Sequence, residues 1–144
     1  AGDSLAAAAQ ALQRGDLVVI YPEGTFTHDP DEWPMAPHTG AVRLALRTGV
    51  PLIPLAQWGA NHVLPSPGLR PGGWFARPRV TLRCGQPMDL SGVDGGSGVS
   101  VQAASRRLMD EITAMLEQIR QQSAPEGRWL RRRRARVPRD EAVA

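Results

Sequence analysis

Five consecutive apolar residues, Leu17-Val18-Val19-Ile20-Tyr21, run directly into Pro22-Glu23-Gly24-Thr25. A run that is apolar on both faces fits a strand buried on both sides, the pattern of a parallel sheet. The next forty residues strengthen that expectation. Residues 22–39 are rich in Pro, Asp and Gly and read as a long loop, and loops of such length in small domains usually carry function. Residues 40–48 return to helical spacing through Ala41, Leu44 and Ala45, with Gly49 placed to end the helix. Val50-Pro51-Leu52-Ile53-Pro54-Leu55-Ala56 is a second apolar strand, whose two prolines require a short strand or a sheet edge. The order strand, loop, helix, strand predicts a right-handed βαβ unit.

The flanking segments fit the same plan. Residues 4–13 form an Ala- and Leu-rich helix that Ser4 can cap, ended by Gly15 and Asp16. Residues 79–84 alternate apolar and polar, so a third strand with one exposed face is expected, with Cys84 as a small buried side chain. Residues 65–78 and 91–100 are Gly-, Pro- and Ser-rich loops. From Val101 to about Gln122, Ala104, Leu108, Ile112, Met115, Leu116 and Ile119 recur at helical spacing. The expected fold class is α/β, a mostly parallel sheet flanked by helices.

With 144 residues the chain has room for one domain with its own core, set at residues 1–124. Charge marks off the remainder. Residues 1–127 hold ten Arg against twelve Asp and Glu, whereas residues 128–144 hold seven Arg against two acids. Residues 125–144 therefore read as a basic, disordered tail, able to meet an anionic membrane surface. Nucleic-acid binding is not expected, because no recognised module accompanies the basic run. A single cysteine excludes an internal disulfide and offers no metal-ligand spacing, so no metal site is expected. No stretch approaches the roughly 20 apolar residues that cross a bilayer.

Glu23 is the first candidate for chemistry. At the carboxyl end of a buried strand it would present a carboxylate in the crevice where open α/β sheets bind ligands. Gly24 would permit close backbone approach, and Thr25 adds a hydroxyl. An ordinary strand-to-loop turn accounts for these three residues equally well.

The longer string is more specific. Tyr21-Pro22-Glu23-Gly24-Thr25, then Thr39-Gly40-Ala41-Val42-Arg43-Leu44-Ala45-Leu46, then Val50-Pro51-Leu52-Ile53-Pro54-Leu55 resembles the 1-acyl-glycerol-3-phosphate acyltransferase family in order and spacing. Gly85-Gln86-Pro87-Met88 is similar to a later Gly-x-Pro turn of that family. The resemblance implies part of a glycerol-phosphate acyltransferase-like fold. It also implies transfer of a fatty acyl group from acyl-CoA or acyl carrier protein to the hydroxyl of a lysophospholipid, in phospholipid biosynthesis. The acyl donor would be a co-substrate, with no cofactor, and the protein would work in the cytoplasm, peripheral to the inner face of the cell membrane.

By the same resemblance, Glu23, Gly24 and Thr25 bind the acceptor, and Pro51 and Pro54 lie near the site. A His and an Asp separated by four residues do the chemistry in that family, the His as general base and the Asp as its orienting partner. Here the residues five positions after His28, His38 and His62 are Trp33, Arg43 and Pro67. No residue of the chain is thus assigned as catalytic. The expectation is a pair located before Ala1, and a chain inactive alone. The family's frequent Arg after the motif is replaced by Phe26, which leaves His28 or Arg43 to supply positive charge to the acceptor. The alternative expectation is a non-catalytic lipid- or membrane-binding remnant of the fold.

Overall fold

A computed structural model describes residues 2–60 and 79–142. Its elements, in chain order, are α1 (Gly2–Gln13), α2 (Gly40–Thr48), β1 (Leu55–Trp58), β2 (Thr81–Cys84), α3 (Gly98–Arg120), β3 (Arg128–Leu130) and β4 (Ala135–Val137). The first predicted helix is present, with Ser4 inside it rather than at its cap. The second ends as its sequence predicts: Gly49 takes a left-handed conformation at φ +70° and its N–H donates to Ala45 O. The long helix starts three residues before Val101. Ser97 caps it, its side chain accepting from Ser100 N.

The expected mostly parallel sheet is not formed. The described residues contain two separate two-stranded antiparallel sheets, β1 with β2 and β3 with β4. Leu17–Tyr21 belongs to no helix or ladder, and Leu17, Val19 and Tyr21 are 85%, 61% and 70% exposed. The βαβ unit is therefore absent as well. The cause lies in the second apolar segment, with which such a unit would pair it. Pro51 and Pro54 have no N–H to donate. The carbonyls of Leu52 and Pro54 are already taken by Met88 N and Gly85 N, both at 2.9 Å, in a continuation of the β1–β2 pairing. One edge of the segment is thus given to residues 85–88, and on the other Pro51 brings no N–H to a ladder. The prolines did enforce a short strand at a sheet edge, beginning only at Leu55. Cys84, opposite Leu55, is exposed rather than buried, because β2 presents that face to solvent.

Helix α3 is the element around which the rest is organised. Its buried side chains include Val101, Ala104, Leu108, Met109, Met115 and Leu116, spaced so that one stripe faces inward. Near its start this stripe meets Val42 of α2, with Leu46, Leu52, Leu90 and Val93 around them. Near its end it meets Ala56 of β1 and Trp33 of the long loop. Ser105 and Thr113 also lie in the buried stripe. Each hydroxyl donates to the carbonyl four residues back, and that of Thr113 also accepts from Arg128 of β3.

The basic segment is not a disordered tail. Strands β3 and β4 form an ordered hairpin whose Leu130 and Val137 bury against Ala36 and Ala142. Gly127 makes the pairing possible: at φ +79° an added Cβ would lie 2.6 Å from Val137 O. The loop expected at 65–78, and His62, lie outside the described residues.

Candidate functional site

The loop after Tyr21 is closed on itself. Gly24 N donates to Tyr21 O at 3.0 Å, forming a tight turn with Gly24 at φ +68°. Sixteen residues after Pro22, His38 N donates to Pro22 O at 2.8 Å, so the two ends of the loop meet. A Cβ at Gly24 would lie 3.2 Å from Cδ2 of His38, and this close approach is what the glycine permits. Between these ends Trp33, Pro34, Met35, Ala36 and Pro37 are buried. A loop packed by its own side chains with its ends together is an Ω-type loop, a frequent carrier of sites.

Asp29 organises the loop's polar interior. Its carboxylate accepts from Asp31 N at 2.8 Å, and its backbone carbonyl accepts from Glu32 N at 2.9 Å. Thr27 Oγ1 donates to Trp33 O and accepts from Asp29 N. Glu23 reaches across the loop, its Oε2 accepting from Met35 N at 3.0 Å.

The hairpin completes the arrangement from the far end of the chain. Ala36 N donates to Trp129 O at 2.9 Å, beside an isolated parallel bridge between Met35 and Trp129. Arg136 grips Asp29 with both arms of its guanidinium, at 3.1 and 2.6 Å, and also reaches Asp31 at 2.7 Å. Arg128, 2% exposed, donates to Asp110 and Thr113 of α3 while its Nη1 is buried with no partner among the described residues.

Loop and hairpin together border a solvent-open cavity of about 260 Å³. Glu23, Met35, Ala36 and His38 line it from the loop, and Leu130, Arg131 and Arg132 from the hairpin. Burial pushes the Glu23 carboxyl above its ordinary value, and nearby Asp29 pushes the same way. The Met35 amide and the charge of Arg128 pull against that rise without cancelling it. Burial likewise draws Arg128 below its ordinary value, partly restored by Asp110.

A raised carboxyl pKa means that the native state holds the proton more tightly than the unfolded chain. The stability from Glu23 is then complete below its unfolded pKa and is lost as pH rises through the folded value. Glu23→Gln keeps an acceptor oxygen for Met35 N and does not titrate. The difference in Tm, variant minus wild type, is expected to increase with pH between about pH 4 and about pH 8. Thermal melts across that range check this; a difference independent of pH would show that Glu23 titrates normally.

The sequence candidates divide. Glu23 lines the cavity, and Gly24 abuts His38 on its wall. Thr25 comes next in the same turn and is half-buried, outside the cavity lining. His28 is exposed, its backbone N–H directed to Met35 Sδ, and it does not line the cavity. Arg43 is elsewhere: its Nε donates to Thr39, and it borders a different cavity of about 400 Å³ with Leu5, Leu46 and Arg47. That second cavity is larger, but Glu23, Gly24 and Thr25 are not among its lining residues. Arg131 and Arg132 are the charged lining residues that spacing does not nominate. The arginine run is visible in the sequence, but nothing in it points back to Glu23.

Among the described residues no three His, Cys, Asp or Glu side chains are placed to hold a metal ion, and no helix is long and apolar enough to cross a membrane.

Glu23, within the Tyr-Pro-Glu-Gly-Thr turn of an Ω-type loop, thus lines a cavity between loop and hairpin. Residues 1–58, which contain that turn, α2 and β1, match the family model described as Acyltransferase. This part of the chain is thus similar to acyltransferases, which suggests acyl transfer as the general chemistry. No curated protein and no solved structure matches the chain significantly.

Proposed function

We propose that the Glu23 cavity is the acceptor site of an acyltransferase that passes a fatty acyl group to the hydroxyl of a 1-acylglycerol 3-phosphate or related lysophospholipid. The observation that carries this reading is the position of Glu23. It lies within the acyltransferase match, half-buried, with one carboxyl oxygen on Met35 N and its side chain in the cavity wall. In that position its carboxyl can accept a hydrogen bond from an acceptor hydroxyl and orient the oxygen for attack on a thioester. Gly24 keeps the wall open beside His38, and Thr25 extends the turn.

Acyl-CoA or acyl carrier protein would supply the acyl group, and the reaction would belong to phospholipid biosynthesis at the inner face of the cytoplasmic membrane. Deprotonation of the hydroxyl needs a general base. None of the three histidines has an Asp at the spacing of the family's catalytic pair, so the part of this chain is acceptor binding and positioning only.

The test is acceptor binding by the 144-residue chain, using a short-chain 1-acylglycerol 3-phosphate below its micelle concentration. A hydrogen bond to a charged group contributes about 1.5–3 kcal/mol, so Glu23→Ala is expected to weaken binding by about 10- to 100-fold. Titration calorimetry reads this directly. Equal affinity for wild type and variant would remove Glu23 from the acceptor site.

A further inference from the structure

We infer that Arg128 is the positioning residue of Glu23: its unpaired Nη1 receives the Glu23 carboxylate when that group ionises and fixes it as a hydrogen-bond acceptor facing the cavity. That the cavity takes an acyl acceptor rests on the proposed function; the coupling of Arg128 to Glu23 does not.

The guanidinium of Arg128 is only half used. Its Nη2 donates to Asp110 Oδ1 at 2.9 Å and to Thr113 Oγ1 at 3.3 Å, which accounts for both N–H groups on that nitrogen. Nη1 of the same group is buried and has no partner among the described residues. A charged donor shut away from water without an acceptor is costly, and such groups are rare unless another state of the protein meets them.

Strand β3 sets this donor beside Glu23. Arg128 and Leu130 are both buried, on one face of the strand, with Trp129 between them on the other. Leu130 lines the Glu23 cavity, so Arg128 follows about 7 Å farther along the same face. From the loop side, Glu23 Oε2 accepts from Met35 N, and Met35 is bridged to Trp129, the neighbour of Arg128. Each charge acts on the other: Arg128 draws the Glu23 carboxyl down against its burial, and Glu23 strengthens the hold of Arg128 on its proton. Asp29 opposes ionisation of Glu23, and His38, Arg131 and Arg132 share the cavity wall. Around Arg128, Asp110 attracts and Arg139 repels.

While Glu23 is protonated, its O–H can donate and Arg128 is engaged by α3 alone. Loss of that proton to water through the open cavity leaves a carboxylate with about four acceptor positions. Met35 N keeps one and Arg128 Nη1 takes another, so the remaining lone pairs face the cavity and accept from a ligand hydroxyl. Arg128 thereby sets whether Glu23 donates or accepts, without touching the ligand.

NMR titration of the full chain, carbon-13-labelled at glutamate, tests this, with Glu23→Gln identifying the Glu23 resonance. Arg128→Gln is expected to move the Glu23 midpoint to higher pH. Asp110→Asn should move it to lower pH, because it frees the guanidinium from α3. Arg139→Gln, which removes the same charge from the other side of Asp110, should leave it in place. A residue that merely anchored β3 to α3 would shift the Arg128 and Asp110 variants alike or neither, and either result overturns the inference. Should Arg128→Gln not fold, the guanidinium nitrogen-15 signals of Arg128 in wild type decide. They should move with the Glu23 midpoint and stay flat in Glu23→Gln; flat signals in wild type overturn the coupling.

At neutral pH, Arg128→Gln should also weaken binding of a short-chain 1-acylglycerol 3-phosphate by about 10-fold, with recovery as pH rises past the new midpoint. If the midpoints move as expected while this binding is unchanged, the Arg128–Glu23 pair stands and the acceptor role of Glu23 falls.

Discussion

Arg136→Ala is expected to destabilise the protein by about 3–5 kcal/mol, because it leaves a buried carboxylate without its counter-charge. The Asp29 side chain is 1% exposed and meets the guanidinium through two hydrogen bonds, at 3.1 and 2.6 Å. Once the arginine is gone, only the Asp31 amide continues to donate to that carboxylate. Water cannot replace the lost charge without opening the loop. The cost is asymmetric. Arg136 is 27% exposed and also pairs with exposed Asp31, so Asp29→Ala leaves an arginine that solvent and Asp31 can accommodate.

Asp29→Ala should therefore cost less, and the double variant should be less damaged than the sum of the two singles. Arg136→Lys should rescue poorly, since an ammonium cannot match a carboxylate with two parallel bonds. Urea denaturation gives all four values. A loss below about 1 kcal/mol for Arg136→Ala would mean that the pair does not hold hairpin and loop together. Because this pair fixes the wall bearing Arg131 and Arg132 against the wall bearing Glu23, acceptor binding should fall with it.

Trp33→Ala is the second large effect, at about 3–5 kcal/mol. Trp33 is 5% exposed and packs with Ala56, Met115 and Leu116, joining the loop to β1 and α3. It also supports Arg120, whose guanidinium carbon lies 4.0 Å from the Trp33 ring centroid and 4.1 Å from that of Trp58. The same guanidinium donates to the carbonyls of Asp31 and Glu32, holding the far end of the loop. Removal of the indole thus opens a cavity and strips one face from a stacked cation, worth roughly 0.5–2 kcal/mol beyond the packing.

Trp33→Phe should retain most of the stability, with a smaller ring over Arg120. Arg120→Ala should show coupling to Trp33→Ala in a double-variant cycle, as expected for residues in contact. Thermal unfolding followed by calorimetry decides. Additive losses would show that the stacking contributes nothing beyond burial.

The three described helices are legible in the sequence through the Ala- and Leu-rich run of α1, Gly49 after α2 and the apolar spacing of α2 and α3, although residues 98–100, read as loop, belong to α3. Helix hydrogen bonds are local, so local residues can announce them. Tyr21-Pro22-Glu23-Gly24-Thr25 is legible for the same reason, since its turn closes within four residues through Gly24 N and Tyr21 O.

Strand pairing is not legible in this way. Leu17–Tyr21 has the composition of a buried strand, yet composition supplies no neighbour, and the proline-interrupted segment that should have served pairs with residues 81–88 instead. Nor is the hairpin. Seven arginines against two acids suggest a solvated tail, because charge counted along the chain does not show which guanidinium meets which carboxylate. Arg136 and Asp29 are 107 residues apart.

Local sequence thus sufficed for the helices, for the turn that presents Glu23 and for the similarity of residues 1–58 to acyltransferases. That the sheets are small and antiparallel, and that the basic segment folds back, depended on the folded chain. So did the placement of Arg131 and Arg132 opposite Glu23. The difference is one of range. Helices and turns satisfy their backbone groups within a few residues, whereas ladders, buried ion pairs and cavity walls are satisfied by partners that only folding brings near.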